Sequence, residues 1–126
     1  MKTSEEIEAA ICQGMSHFML ECMGCGPKTV RTHLIGDLLV VRLQGVLTAA
    51  EQHLGKTLQA ERGRDLLKQV RIQLMEAARP ILEAMVKEIT EIKVLTLHHD
   101  FSTKTGEEVV LFTLAKSPIL RGAKKK

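Results

Sequence analysis

The chain has no tryptophan and no tyrosine, and only three phenylalanines among 126 residues. A core built from it must be aliphatic, and the near-absence of rings counts against recognition of single-stranded nucleic acid by base stacking. Cysteine is scarce and odd in number, at three, which argues against a disulfide framework and for a reducing compartment. No stretch reaches the roughly 18 apolar residues of a membrane span. The opening residues Met1–Ile7 are acidic, without the pattern of a secretory signal. These absences predict a soluble, cytoplasmic protein without a transmembrane segment.

Several enzymatic signatures are missing too. No glycine-rich phosphate loop, no Ser/His/Asp order and no HExxH helix occurs. No catalytic residue is therefore nominated, no cofactor is expected, and the sequence favours a non-enzymatic module.

What is present suits one domain. The chain is 44% hydrophobic with a formal charge of +3, and its length fits a single core. The charge is unevenly placed. Lys116, Arg121, Lys124, Lys125 and Lys126 are five of the 18 basic residues, which leaves 13 bases against 15 acids in the remainder. Residues 1–115 therefore read as the domain, and 116–126 as a basic, disordered tail. Such a tail either aids solubility or touches RNA or an anionic membrane surface through non-specific charge. A slightly acidic folded part speaks against specific nucleic-acid recognition.

The local pattern predicts an α+β fold. Thr3-Ser4-Glu5-Glu6 is a capping-box sequence. Ile7, Ile11, Met15, Phe18 and Cys22 then mark one helical face, and Gly24, Gly26 and Pro27 end it. Thr29–Ile35 and Leu38–Gly45 flank Gly36-Asp37, a two-residue hairpin turn. That turn pairs 34 with 39, 32 with 41 and 30 with 43, on the core face, and leaves Arg31, His33, Ile35, Leu38, Val40 and Arg42 on the other.

A second capping box at Thr48–Glu51 opens a short helix closed by Gly55, and Lys56–Arg64 forms a polar connection. A long helix follows from about Arg64 to Thr90. Its stripe of Leu67, Val70, Leu74, Ala78, Ile81, Met85 and Ile89 is widened by Leu66, Met75, Leu82 and Val86. Pro80 predicts a kink or break near 77–80. Strands at 92–102 and 107–114 form the second hairpin, with Leu95, Leu97 and Phe101 on one face and Val94 and Thr96 on the other. The expected architecture is a two-layer, four-stranded, mainly antiparallel sheet from two hairpins, packed against a kinked long helix and an N-terminal helix. With one sheet face partly covered, a homodimer is expected.

The motifs Gly24-Cys25-Gly26-Pro27, Ile35-Gly36-Asp37, and 40–48 with Glu51 run the length of the chain. They continue through Val70-Arg71, Arg79-Pro80, Glu88-Ile89-Thr90, His98, 100–103, Thr105-Gly106-Glu107 and Phe112-Thr113-Leu114. Together they resemble the MpsC-like family, across roughly residues 5–115. The resemblance implies a soluble bacterial module that serves, as an accessory or regulatory part, a membrane complex moving sodium or inorganic carbon or generating membrane potential. Association with the membrane would run through a partner. The family supplies no catalytic residues to carry over. Cys25 stands where the family pattern has a basic residue, so any thiol chemistry belongs to this chain alone.

Three clusters remain as candidate sites. Cys22-Met23-Gly24-Cys25 is a CxxC that can chelate zinc or cycle as a disulfide. His33 is a third ligand if the hairpin folds back, whereas Cys12 lies about 15 Å along the helix. Incidental cysteines are the plainer reading. Arg31 and Arg42 face each other across the first hairpin, which is unfavourable unless an anion or an acid lies between them. Arg79 is a further anion contact, or else an ion-pair partner of Glu76 or Glu83. At the second hairpin, His98 and Asp100 share a face, and Asp100, Ser102 and Thr103 either cap the tip or, with His98, form a polar site. A small-anion or metal sensor is thus the main alternative to an accessory module, with nucleic-acid association through the tail a third.

Overall fold

A computed structural model describes residues 3–23, 26–47, 60–102 and 104–119. The second capping box, the short helix to Gly55, Cys25, Thr103 and the end of the tail lie outside the described residues. The elements run α1 (Ser4–Met23), β1 (Thr29–Ile35), β2 (Leu38–Gln44), α2 (Ala60–Thr90), β3 (Val94–Phe101) and β4 (Glu108–Leu114). The four strands make one antiparallel sheet in the order β1-β2-β4-β3. Each hairpin therefore contributes one central strand and one edge.

The helix α1 starts as its capping box dictates. The Glu6 amide donates to Thr3 Oγ1 at 3.1 Å, and Glu6 Oε1 accepts from the Thr3 amide at 2.8 Å. Two amides that lack partners within the helix are thereby satisfied. In the first hairpin Gly36 takes a left-handed conformation, φ 62°, which glycine reaches without the steric cost of a Cβ. The pairing is Leu34 with Leu39, Thr32 with Val41 and Val30 with Leu43, as the turn requires.

Both helices lie on one side of the sheet. From α1, Ile7, Ile11, Met15 and Met19 are buried against Leu39, Val41 and Leu43 of β2 and Val110, Phe112 and Leu114 of β4. Each such side chain contributes roughly 1.5–3 kcal/mol by leaving water. Cys12 is held at the same junction, its Sγ 3.1 Å from Thr32 Oγ1. The opposite sheet face keeps Arg31, His33, Ile35 and Arg42 exposed, with Leu38, Val40, Val109 and Leu111 half-buried.

The helix α2 is 31 residues long and continues through Pro80, where it is kinked without being interrupted. It begins at Ala60, a turn earlier than the apolar pattern suggested. It ends without glycine. Glu91 adopts φ 61°, its amide donates to Lys87 O at 2.7 Å, and the Thr90 hydroxyl donates to Val86 O at 2.8 Å. This is a left-handed cap built on an acidic residue.

Two expectations are corrected. The broad apolar stripe of α2 does not all reach the sheet. Leu67, Met75, Ala78, Leu82 and Val86 are buried, while Leu66, Val70, Leu74 and Ile81 stay substantially exposed. One helix resting on a sheet buries only part of its circumference, and the stripe is wider than that contact. The second correction concerns β3. A bulge between Val94 and Thr96 interrupts the alternation, so Val94 joins Leu97 and Phe101 in the core and Leu95 turns outward. An extra residue in one strand shifts every side chain before it to the other face.

Candidate functional site

Their i, i+3 spacing on α2 sets Glu76 and Arg79 together on the flank that meets the edge strand β3. There His99, which alternation turns inward between Leu97 and Phe101, completes a polar cluster. Glu76 Oε2 accepts from Arg79 Nη2 at 2.8 Å and from His99 Nε2 at 2.6 Å, and Glu76 Oε1 accepts from Arg79 Nε at 3.3 Å. Arg79 Nη1 donates to the Leu97 carbonyl at 3.0 Å and lies 3.9 Å from Glu83. The short contact to a carboxylate fixes the proton of His99 on Nε2. Its Nδ1 is enclosed and has no hydrogen-bond partner among the described residues. The bonds from Arg79, and then His99, hold the Glu76 carboxyl at about 2, and Glu76 raises the affinity of Arg79 for its proton in turn. A carboxylate so stabilised is a poor general base near neutrality. What this arrangement does chemically is clamp the helix to the edge strand with charge.

A second pair is fully enclosed. Arg71, on α2 between Leu67 and Met75, donates through Nη2 and Nε to Glu108 Oε1 at 2.6 and 3.1 Å. Its guanidinium carbon stands 5.5 Å from the centre of the Phe101 ring. Sequence reasoning passed over both charges. The available signal was an arginine inside the apolar i, i+4 line of α2, and a glutamate in phase with Val110, Phe112 and Leu114.

The residues nominated from sequence are scattered. Arg31 and Arg42 are directly paired in the sheet. Arg42 is engaged by Glu107, Nη2 to Oε2 at 2.8 Å, whereas Arg31 has no acid beside it among the described residues. His33 is exposed on the outer sheet face, while Cys22 lies on the helix side, beside Leu74 and Ile81. Among the described residues no three His, Cys, Asp or Glu side chains gather as a metal-holding group.

His98 and Asp100 both point outward. Asp100 accepts from the Phe101 amide at 2.9 Å and pairs with Lys68 at 3.2 Å, and these two bonds lower its proton affinity. Ser102 Oγ accepts from the amides of Lys104 and Thr105 at 3.3 and 3.2 Å, shaping the hairpin tip. Among the described residues no helix is long and apolar enough to cross a membrane.

Comparison with known proteins follows the same lines. Residues 3–116 match the family described as Na+-translocating membrane potential-generating system (MpsC). A Bacillus subtilis (strain 168) protein, described as uncharacterized protein YbcI, is 32% identical over 113 residues, covering 90% of this chain and 89% of the relative. No solved structure matches. With the match spanning both hairpins and both helices, the chain belongs to the MpsC family.

Proposed function

We propose that the chain is a non-enzymatic accessory or regulatory module of a membrane system that translocates sodium or inorganic carbon, or generates membrane potential. The family match over residues 3–116 carries this reading. Two features support it. The charged clusters among the described residues are spent on holding elements together, at Glu76–Arg79–His99 and at Arg71–Glu108. With no membrane-crossing helix among those residues, attachment to such a system would run through a protein partner. The reading has residues 1–115 as the working unit, cytoplasmic and acting as two copies, and 116–126 as a basic appendage.

The test is capture from detergent-solubilised membranes of the native cell, with the chromosomal copy tagged, alongside membrane potential measured by a voltage-sensitive dye after deletion. Recovery of integral transport subunits and a lowered potential are expected. Capture of no membrane protein, with an unchanged potential, would sink the reading.

A small-anion sensor is a second reading, resting on Arg31. It is an exposed cation directly opposite another cation, with no acid beside it among the described residues. A thermal shift with bicarbonate or phosphate that disappears in Arg31→Gln is expected on this reading. Equal shifts in both proteins would end it.

A further inference from the structure

The unburied part of the α2 stripe forms a continuous seam that runs across the kink at Pro80. Leu66, Val70, Leu74, Ala77, Ile81 and Ala84 follow spacings of four, four, three, four and three, so they stack along one line of the helix. At 1.5 Å per residue the line is about 27 Å long, or about five turns. Its large members remain exposed, Leu66 by 43%, Val70 by 36%, Leu74 by 39% and Ile81 by 54%. No charged side chain falls on this line between its ends, in a chain that is 26% charged. A groove of about 720 Å³ runs beside its first half, with Gln69 and Gln73 along the wall. Three-and-four spacing without charge is the pattern of a helix that packs against another helix.

The two ends of the seam select the occupant. Arg62 lies about one turn before Leu66, and Glu88 about one turn beyond Ala84. Both are exposed, and neither is ion-paired among the described residues. A second copy of α2 laid antiparallel, about a two-fold axis near residues 75–76, brings Leu66 over Ala84, Val70 over Ile81 and Leu74 over Ala77. The same register sets Arg62 of each copy beside Glu88 of the other. A parallel register would place Arg62 on Arg62 and Glu88 on Glu88, stacking like charges.

We propose that the chain forms a symmetric homodimer through this seam, with the two α2 helices antiparallel and Arg62–Glu88 ion pairs closing both ends. It rests on the two-copy part of the functional reading above and deepens it by assigning the shared surface to α2.

Sedimentation at micromolar concentration tests it. The wild-type chain is expected at twice its 14.0 kDa, and Leu74→Glu at the monomer mass with an unchanged helical circular-dichroism signal. Arg62→Glu and Glu88→Arg should each weaken association about 10-fold, since symmetry counts every pair twice, and the double variant R62E/E88R should restore it. These charged positions are exposed, so the reversal series decides the question even if Leu74→Glu fails to fold. A wild-type monomer overturns the dimer altogether. A dimer indifferent to Leu74→Glu and to the reversals overturns this interface, and one broken by Leu74→Glu but blind to the reversals overturns the antiparallel register. Capture that recovers no membrane partner, with the dimer intact, fails the functional reading alone.

Discussion

Arg71 and Glu108 meet with their side chains 0% and 1% exposed, the guanidinium Nη2 2.6 Å from the carboxylate Oε1. One comes from the middle of the long helix and the other from the first residue of β4. They lie 37 positions apart, so the bond ties the helical layer to a central strand. Removing one member strands a charge in the core, at a cost of about 3–5 kcal/mol. Arg71→Met is therefore expected to lower the unfolding free energy by that amount in a urea titration. Arg71→Met combined with Glu108→Leu should recover much of the loss. A single variant as stable as the parent would show that the pair is not what holds the layers together.

The Glu76–Arg79–His99 clamp gives stability a particular acid limb. The folded-state proton affinity of Glu76 is depressed, from 4.5 to about 2. Its contribution is then fully present above about pH 4.5 and is lost as the pH falls towards 2. Thermal melts across that window should show a fall in Tm that flattens in Glu76→Gln. An identical slope in both proteins would remove the clamp from the account.

The two helices approach closely at Gly14. A Cβ at this position would collide with the Met85 sulfur and crowd its Cγ. Methionine can turn aside for one methyl group, so Gly14→Ala should be nearly neutral, its gain in helix propensity offsetting the crowding. Gly14→Val leaves no such escape and is expected to cost about 1–3 kcal/mol, measured by chemical denaturation.

The end of α2 offers a stabilising change. Glu91 sits at φ 61°, where an L side chain is disfavoured by roughly 1–2 kcal/mol. Glu91→Gly should raise stability by up to about 1 kcal/mol, since the greater freedom of glycine in the unfolded chain offsets part of the gain. A lower Tm in that variant would mean that the Glu91 side chain has a role its exposure hides.

Much of the architecture is legible in the sequence, because the decisive signals are local. Thr3 and Glu6 fix where α1 begins, and Gly36-Asp37 fixes the turn and with it every pairing from Leu34–Leu39 to Val30–Leu43. What escaped notice is non-local or cancels a period. Nothing in the run Lys93–Thr96 announces a bulge, so alternation misplaced Leu95 and Val94. The breadth of the α2 stripe could be counted, but how much of it the sheet covers depends on where α1 lies. The clusters behaved likewise. Spacing along the helix names Glu76 and Glu83 as possible partners of Arg79, whereas for Arg42 charge calls only for an anion or an acid and does not single out Glu107. His99 was assigned its face but not its bond to Glu76, which lies 23 residues away.

The strand order carries a consequence for how the chain acquires its structure. The last strand, β4, lies between β2 and β3, so the sheet cannot be assembled progressively from the N-terminus. During synthesis the first hairpin waits with its Val40–Arg42 edge unmatched until residues 108–114 arrive. Residues as far as 114 must therefore leave the ribosome before the sheet closes. Closure then joins segments about 70 positions apart, the longest-range pairing in the sheet. In that interval the exposed edge of β2 is where a nascent chain is most open to chaperone capture or to mispairing with a neighbour.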